Sequence, residues 1–141
     1  MDTLEKHWSW KYRVFFFKNK DVLLDAFFIL IITPLLIYIG VQRSASPEWL
    51  FHGLVGFSVL IALYHLYFAY SNFRKGSSTL WINIFHLFLV APVLFWIGYN
   101  KKEASRYPYE IILVLGFGSL GYHTYSLMLQ LNTVTGGKSE F

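Results

Sequence analysis

The sequence predicts an all-α fold: an integral membrane domain of four transmembrane helices in an antiparallel, up-down-up-down bundle. Three observations lead there. Hydrophobic residues make up 55% of the 141 residues and charged residues only 14%, against about 25% charged in an ordinary soluble domain. The apolar residues are gathered into four blocks, each near the roughly 20 residues that a helix needs to cross a bilayer. The connections between blocks are short and polar, which forces neighbouring helices to run antiparallel. Helices are required because backbone groups in lipid must pair within their own segment.

Residues 1–21 form a basic, aromatic segment. Leu4, Trp8, Tyr12 and Phe15 recur at spacings of three or four, opposite several basic residues, which predicts a helix lying in the membrane interface. The competing reading is a plain basic flank to the first span. Charges from Asp2 to Lys20 leave no uninterrupted apolar stretch of the kind a cleavable signal peptide needs. The four-helix domain covers residues 22–131. Its first span is 22–41, with Asp21 read as an N-cap. Pro34 inside that span is expected to free a carbonyl and kink the helix. "QRSASPE" leads to the second span, 49–70, and "SNFRKGSST" to the third, 80–99, where Pro92 repeats the expectation of a kink. "NKKEASRYP" leads to the fourth, 109–131. Gly53 and Gly56 in the second span, and Gly116, Gly118 and Gly121 in the fourth, are expected at close helix contacts. Residues 132–141 form a polar tail ending in "TGGKSEF".

Lys and Arg set the orientation. Lys6, Lys11, Arg13, Lys18, Lys20, Arg74, Lys75 and Lys138 fall on one side, and Arg43, Lys101, Lys102 and Arg106 on the other. The excess places both termini in the cytoplasm. Trp49, Tyr70, Trp81, Trp96, Tyr99, Tyr107 and Tyr109 lie near span ends, as an aromatic belt does. The +4 net charge sits in these flanks, so the expected partner is the lipid bilayer and not nucleic acid. A homo-oligomer or a larger membrane complex is a further expected association. The chain has no cysteine, which excludes disulfides, thiolate metal sites and thiol catalysis. No nucleophile elbow or acidic pair supports hydrolysis, and an enzyme is not the expected class. "GFGSLGYH" is not a potassium filter, and no arginine ladder marks a voltage sensor.

Functional candidates come from ionisable residues inside the spans. "YHLY", "FHLF" and "YHTY" place His65, His86 and His123 among aromatic rings. In the predicted topology His65, His86 and His123 lie about 7–12 Å inside the cytoplasmic end, with Asp25 near the same face. Each lies on a polar seam of its own helix. Gly116, Ser119, His123, Ser126 and Gln130 form one seam; Thr79, Asn83 and His86 another; Ser58, His65 and Asn72 a third; Asp21 and Asp25 the fourth. His52 departs from the pattern, near the outer end of the second span. The expectation is an interior cluster of Asp25, His65, His86 and His123 supported by Asn83 and Ser119. Three readings of it stand open. Titrating imidazoles beside a carboxylate suit a proton or cation pathway. The same histidines, with Asp25, are candidate ligands for a divalent metal, or His65 and His123 for a haem. Neutral histidines also hold helices together in a non-catalytic structural or assembly subunit.

Overall fold

The computed structural model describes residues 19–135, with side chains through Asn132. The expected interfacial helix through Leu4, Trp8, Tyr12 and Phe15 lies outside the described residues, as does the tail beyond residue 135. Among the described residues there are helices and no strand. Four are long and apolar enough to cross a membrane: α1 (Lys20–Ala45), α2 (Glu48–Lys75), α3 (Leu80–Glu103) and α4 (Arg106–Thr135). Each predicted span lies inside one of them.

The ends follow local rules. Asn19, not Asp21, caps α1: its side chain accepts the Asp21 N–H at 3.1 Å. Asp21 lies two residues further in and takes the first-turn acidic position that the helix dipole favours. α2 stops at Gly76, whose φ of 63° lets Ser77 N–H reach back to the Asn72 carbonyl.

Both prolines leave a specific mark. Phe28–Ile32 in α1 and His86–Val90 in α3 are π-helical turns. Their closing bonds run from Thr33 N–H to the Phe28 carbonyl and from Ala91 N–H to the His86 carbonyl. Pro34 and Pro92 follow directly. Proline has no N–H to give and crowds the carbonyl one turn back, and a widened turn before it relieves that crowding.

These irregularities recur at one interval. The π turns Phe28–Ile32 and His86–Val90 are 58 residues apart, and so are the α segments Thr33–Gln42 and Ala91–Asn100 and the 3-10 turns Arg43–Ala45 and Lys101–Glu103. Arg43 and Lys101 each open their turn with a φ of 52°.

The chain divides into two compact units. One joins the part of α1 up to Leu35 to the part of α4 from Gly116 onward. In it the two segments run antiparallel, Asp25 reaching His123 and Gln130 while Thr33 donates to Ser119 Oγ at 3.2 Å. Val22, Asp25, Ile32 and Thr33 are buried.

The other unit is Leu36–Leu115. Here α2 and α3 run antiparallel, with His65 against Asn83, Val55 against Gly98 and Glu48 against Lys101. Phe51, Leu54, Leu94, Ile97, Tyr109 and Ile112 are core residues. Two glycines permit the closest approaches. A Cβ on Gly98 would lie 2.7 Å from the Phe51 carbonyl oxygen, and one on Gly40 would lie 2.8 Å from Leu113 Cβ. Four of the five glycines expected at contacts behave otherwise: a Cβ on Gly53, Gly56, Gly118 or Gly121 meets nothing within 4 Å among the described residues, whereas Gly116 is buried. Those four face open space. The α3–α4 turn is pinned by Tyr109, whose hydroxyl donates to the Lys101 carbonyl at 2.8 Å, and by the Lys101 ammonium on Glu48 at 2.7 Å.

Candidate functional site

Of the four expected site residues, the structure brings together Asp25 with His123 in the first unit and His65 with His86 in the second. In the first, Asp25 is 4% exposed although it carries a carboxylate. His123 Nδ1 donates to Asp25 Oδ1 at 2.7 Å, and Gln130 Nε2 donates to Oδ2 at 2.8 Å and to Ser126 Oγ at 3.1 Å. Both carboxylate oxygens are therefore engaged, the condition under which a buried charge is tolerated. His123, Ser126 and Gln130 lie at steps of three and four on α4, so one helical face supplies the whole donor set. Phe28, at the head of the α1 π turn, stacks on the His123 ring at 4.2 Å between centroids and 18° between planes. The imidazole is thus held by a carboxylate at one edge and a ring on one face.

In the second unit, His65 Nδ1 lies 2.9 Å from Asn83 Oδ1. Asn83 Nδ2 donates to the Thr79 carbonyl at 3.4 Å, so Oδ1 is the atom turned to His65, and the imidazole is the donor. His86, at the head of the α3 π turn, has Nδ1 at 2.7 Å from the Ile82 carbonyl and donates to it. The His65 and His86 rings are stacked, 4.1 Å apart and 13° from parallel. Two cations at that distance would repel by about 4 kcal/mol at an effective dielectric of 20, so the stack accommodates one charge and resists a second. All three histidines spend Nδ1–H on an oxygen. In the neutral ring this makes Nε2 the basic nitrogen.

The supporting residues divide. Asn83 bonds His65, on the neighbouring helix. Ser119 accepts from Thr33, one of the buried polar residues of α1. His52 lies at the exposed end of α2, with Nε2 3.4 Å from Lys101 Nζ. Gln130 and Phe28 were not among the expected site residues. Gln130 was visible as a member of the polar seam of α4. Phe28 carried no signal of its own, being one ring in an apolar run. Among the described residues no three His, Cys, Asp or Glu side chains are grouped as a metal ion requires.

A comparison with protein-family models, curated proteins and solved structures returns no match. The functional reading therefore rests on the two histidine pairs and on the helices that carry them.

Proposed function

We propose that this chain is a multi-pass membrane protein of the channel or transporter type, and that Asp25 and His123 bind and release a proton along a proton or cation pathway. The four helices would cross the bilayer as an antiparallel bundle with both termini in the cytoplasm. Large apolar side chains on their outer faces support insertion: Leu30 is 74% exposed, Phe88 79% and Val114 70%, which water disfavours and acyl chains accept. Exposed Trp49, Trp81, Tyr99 and Tyr107 near the helix ends suit the headgroup level.

The observation that carries the reading is the Asp25–His123 pair. A carboxylate inside an apolar span is costly, and such residues commonly serve ion or proton paths. Here it is buried, doubly hydrogen-bonded and set against an imidazole whose second nitrogen is basic. The chemistry is a single proton exchange: His123 Nε2 takes a proton, and the carboxylate at Nδ1 stabilises the resulting cation. His65 and His86 offer a second place for a proton without a carboxylate.

The test is pH-driven proton flux into proteoliposomes holding the purified protein. Asp25→Asn and His123→Ala are each expected to abolish flux, and His52→Ala to leave it at the wild-type rate. Wild-type flux in the first two variants would remove the pair from the mechanism. The haem or metal reading has one feature in its favour, since metal-ligating histidines usually donate the other ring N–H to an oxygen. Elemental analysis of the same preparation decides it.

A further inference from the structure

We infer that the chain is a tandem duplication of one two-helix unit, and that His65, Asn83 and His86 form a second site equivalent to the one built by His123, Asp25 and Phe28. At an offset of 58 residues, without a gap, Pro34, Ile39, Gly40, Tyr64, His65 and Tyr67 fall on Pro92, Ile97, Gly98, Tyr122, His123 and Tyr125. α1 thereby corresponds to α3, and α2 to α4. Shared apolar residues say little, because any two membrane-type helices share them. The inference stands on the irregular features.

Each of these recurs with both of its members displaced by the same interval. The two π turns, the two prolines behind them and the two positive-φ turn residues coincide. Gly40 makes its close approach to Leu113, and Gly98 makes its own to Val55, which is the residue 58 before Leu113. The sites coincide in the same way. In one, a histidine of α4 donates Nδ1–H to Asp25 and stacks on Phe28, three residues further along α1. In the other, a histidine of α2 donates Nδ1–H to Asn83 and stacks on His86, three residues further along α3. Chance can repeat a histidine. It does not repeat the hydrogen-bond acceptor, the stacked ring, the π turn that starts at that ring and the glycine contact together.

The two sites differ at the acceptor and at the stacked ring, and the differences are chemical; Gln130 and Ser126 beside the first also fall on Asn72 and Phe68. Asp25 corresponds to Asn83, and Phe28 to His86. The first site has a carboxylate and one imidazole; the second has a carboxamide and two imidazoles. In each, Nε2 of the shared histidine is the place for one proton. The choice of a proton as the ligand rests on the reading above, whereas the equivalence of the sites does not. The groups facing His123 are Asp25 and Phe28 on α1 and Tyr122 on its own helix, with Gln130 held on Asp25. Those facing His65 are Asn83 and His86 on α3 and Tyr64 on its own helix.

The experiment is histidine-selective 15N NMR of the full chain in detergent, following His65 and His123 through a pH titration. Wild type is compared with N83D and with an exchange variant carrying D25N, F28H, N83D and H86F. Equivalent sites predict that the two titration curves trade places in the exchange variant. In N83D they predict that the His65 curve moves onto the curve of wild-type His123. Curves in the exchange variant that match neither wild-type ring overturn the inference. If that variant does not fold, N83D decides alone: a His65 curve that stays in place, or a protein that no longer folds, overturns it. Flux is not read here, so a protein that moves no protons would end the pathway reading and leave the two-copy inference standing.

Discussion

At the scale of single residues, the chain keeps a carboxylate where solvent cannot reach it and surrounds it with donors. His123 and Gln130 hold one oxygen of Asp25 each. The two partners of this hydrogen-bonded pair are not symmetric under substitution. His123→Ala leaves Asp25 buried with half its support, and breaking a buried pair from one side costs about 3–5 kcal/mol. Asp25→Asn leaves a carboxamide facing the same imidazole, an arrangement that Asn83 and His65 already make. Its expected cost is about 1 kcal/mol, the scale of one net hydrogen bond. Denaturant unfolding in detergent micelles measures both, and an Asp25→Asn cost equal to that of His123→Ala would contradict the asymmetry. Asp25 and the three histidines were legible in the sequence because ionisable residues are conspicuous in apolar runs. Their pairing was not. Polar seams fix which face of a helix a residue occupies, but not which neighbouring seam that face meets. Asp25 therefore showed neither His123 nor Gln130, both about a hundred positions along the chain.

At the scale of the element, the informative departures from regular helix are the π turns and the glycine contacts. The sequence marked both prolines as sites of disturbance and left its form open. The structure gives the form: one widened turn ahead of each proline, with Phe28 or His86 at its head. The glycines were read by composition, and composition misled. Gly53 and Gly56 lie close together and looked like a packing motif, yet the close contacts belong to the isolated Gly40 and Gly98. Opposite signs follow. Gly98→Ala drives a methyl against the Phe51 carbonyl oxygen, with an expected loss of about 1–3 kcal/mol. Gly53→Ala adds a methyl in open space within a helix, with an expected gain of about 0.5–1 kcal/mol. Thermal unfolding of the two variants side by side reads the sign directly, and a stabilised Gly98→Ala protein would contradict the contact.

At the scale of the whole molecule, four long apolar helices were plain from hydropathy, because nothing else in a chain this short requires such blocks. Topology is the next claim to test. Since the chain has no cysteine, single cysteines report without background. Ser77→Cys between α2 and α3 is expected to react with an impermeant maleimide only after the cells are opened. Ser44→Cys in the 3-10 turn that ends α1 is expected to react in intact cells. Labelling of both from one side would refute the antiparallel crossing. The recurrence of the two halves was also present in the sequence, in a misleading form. Three aromatic–histidine motifs stood out, and three is not a multiple of two. "YHLY" and "YHTY" are the corresponding pair, 58 residues apart. "FHLF" corresponds to "FFIL" at residues 27–30, where a phenyl ring holds the place of the imidazole. Substitution had hidden the relation at the position where the two sites differ most.

The π turns also carry a chronology. A π turn holds one more residue than the α-helical turn it replaces. Both halves carry that surplus residue at the same place, two positions ahead of proline. On the two-copy inference, the widened turn, the proline behind it and a ring at its head all belonged to the unit that was copied.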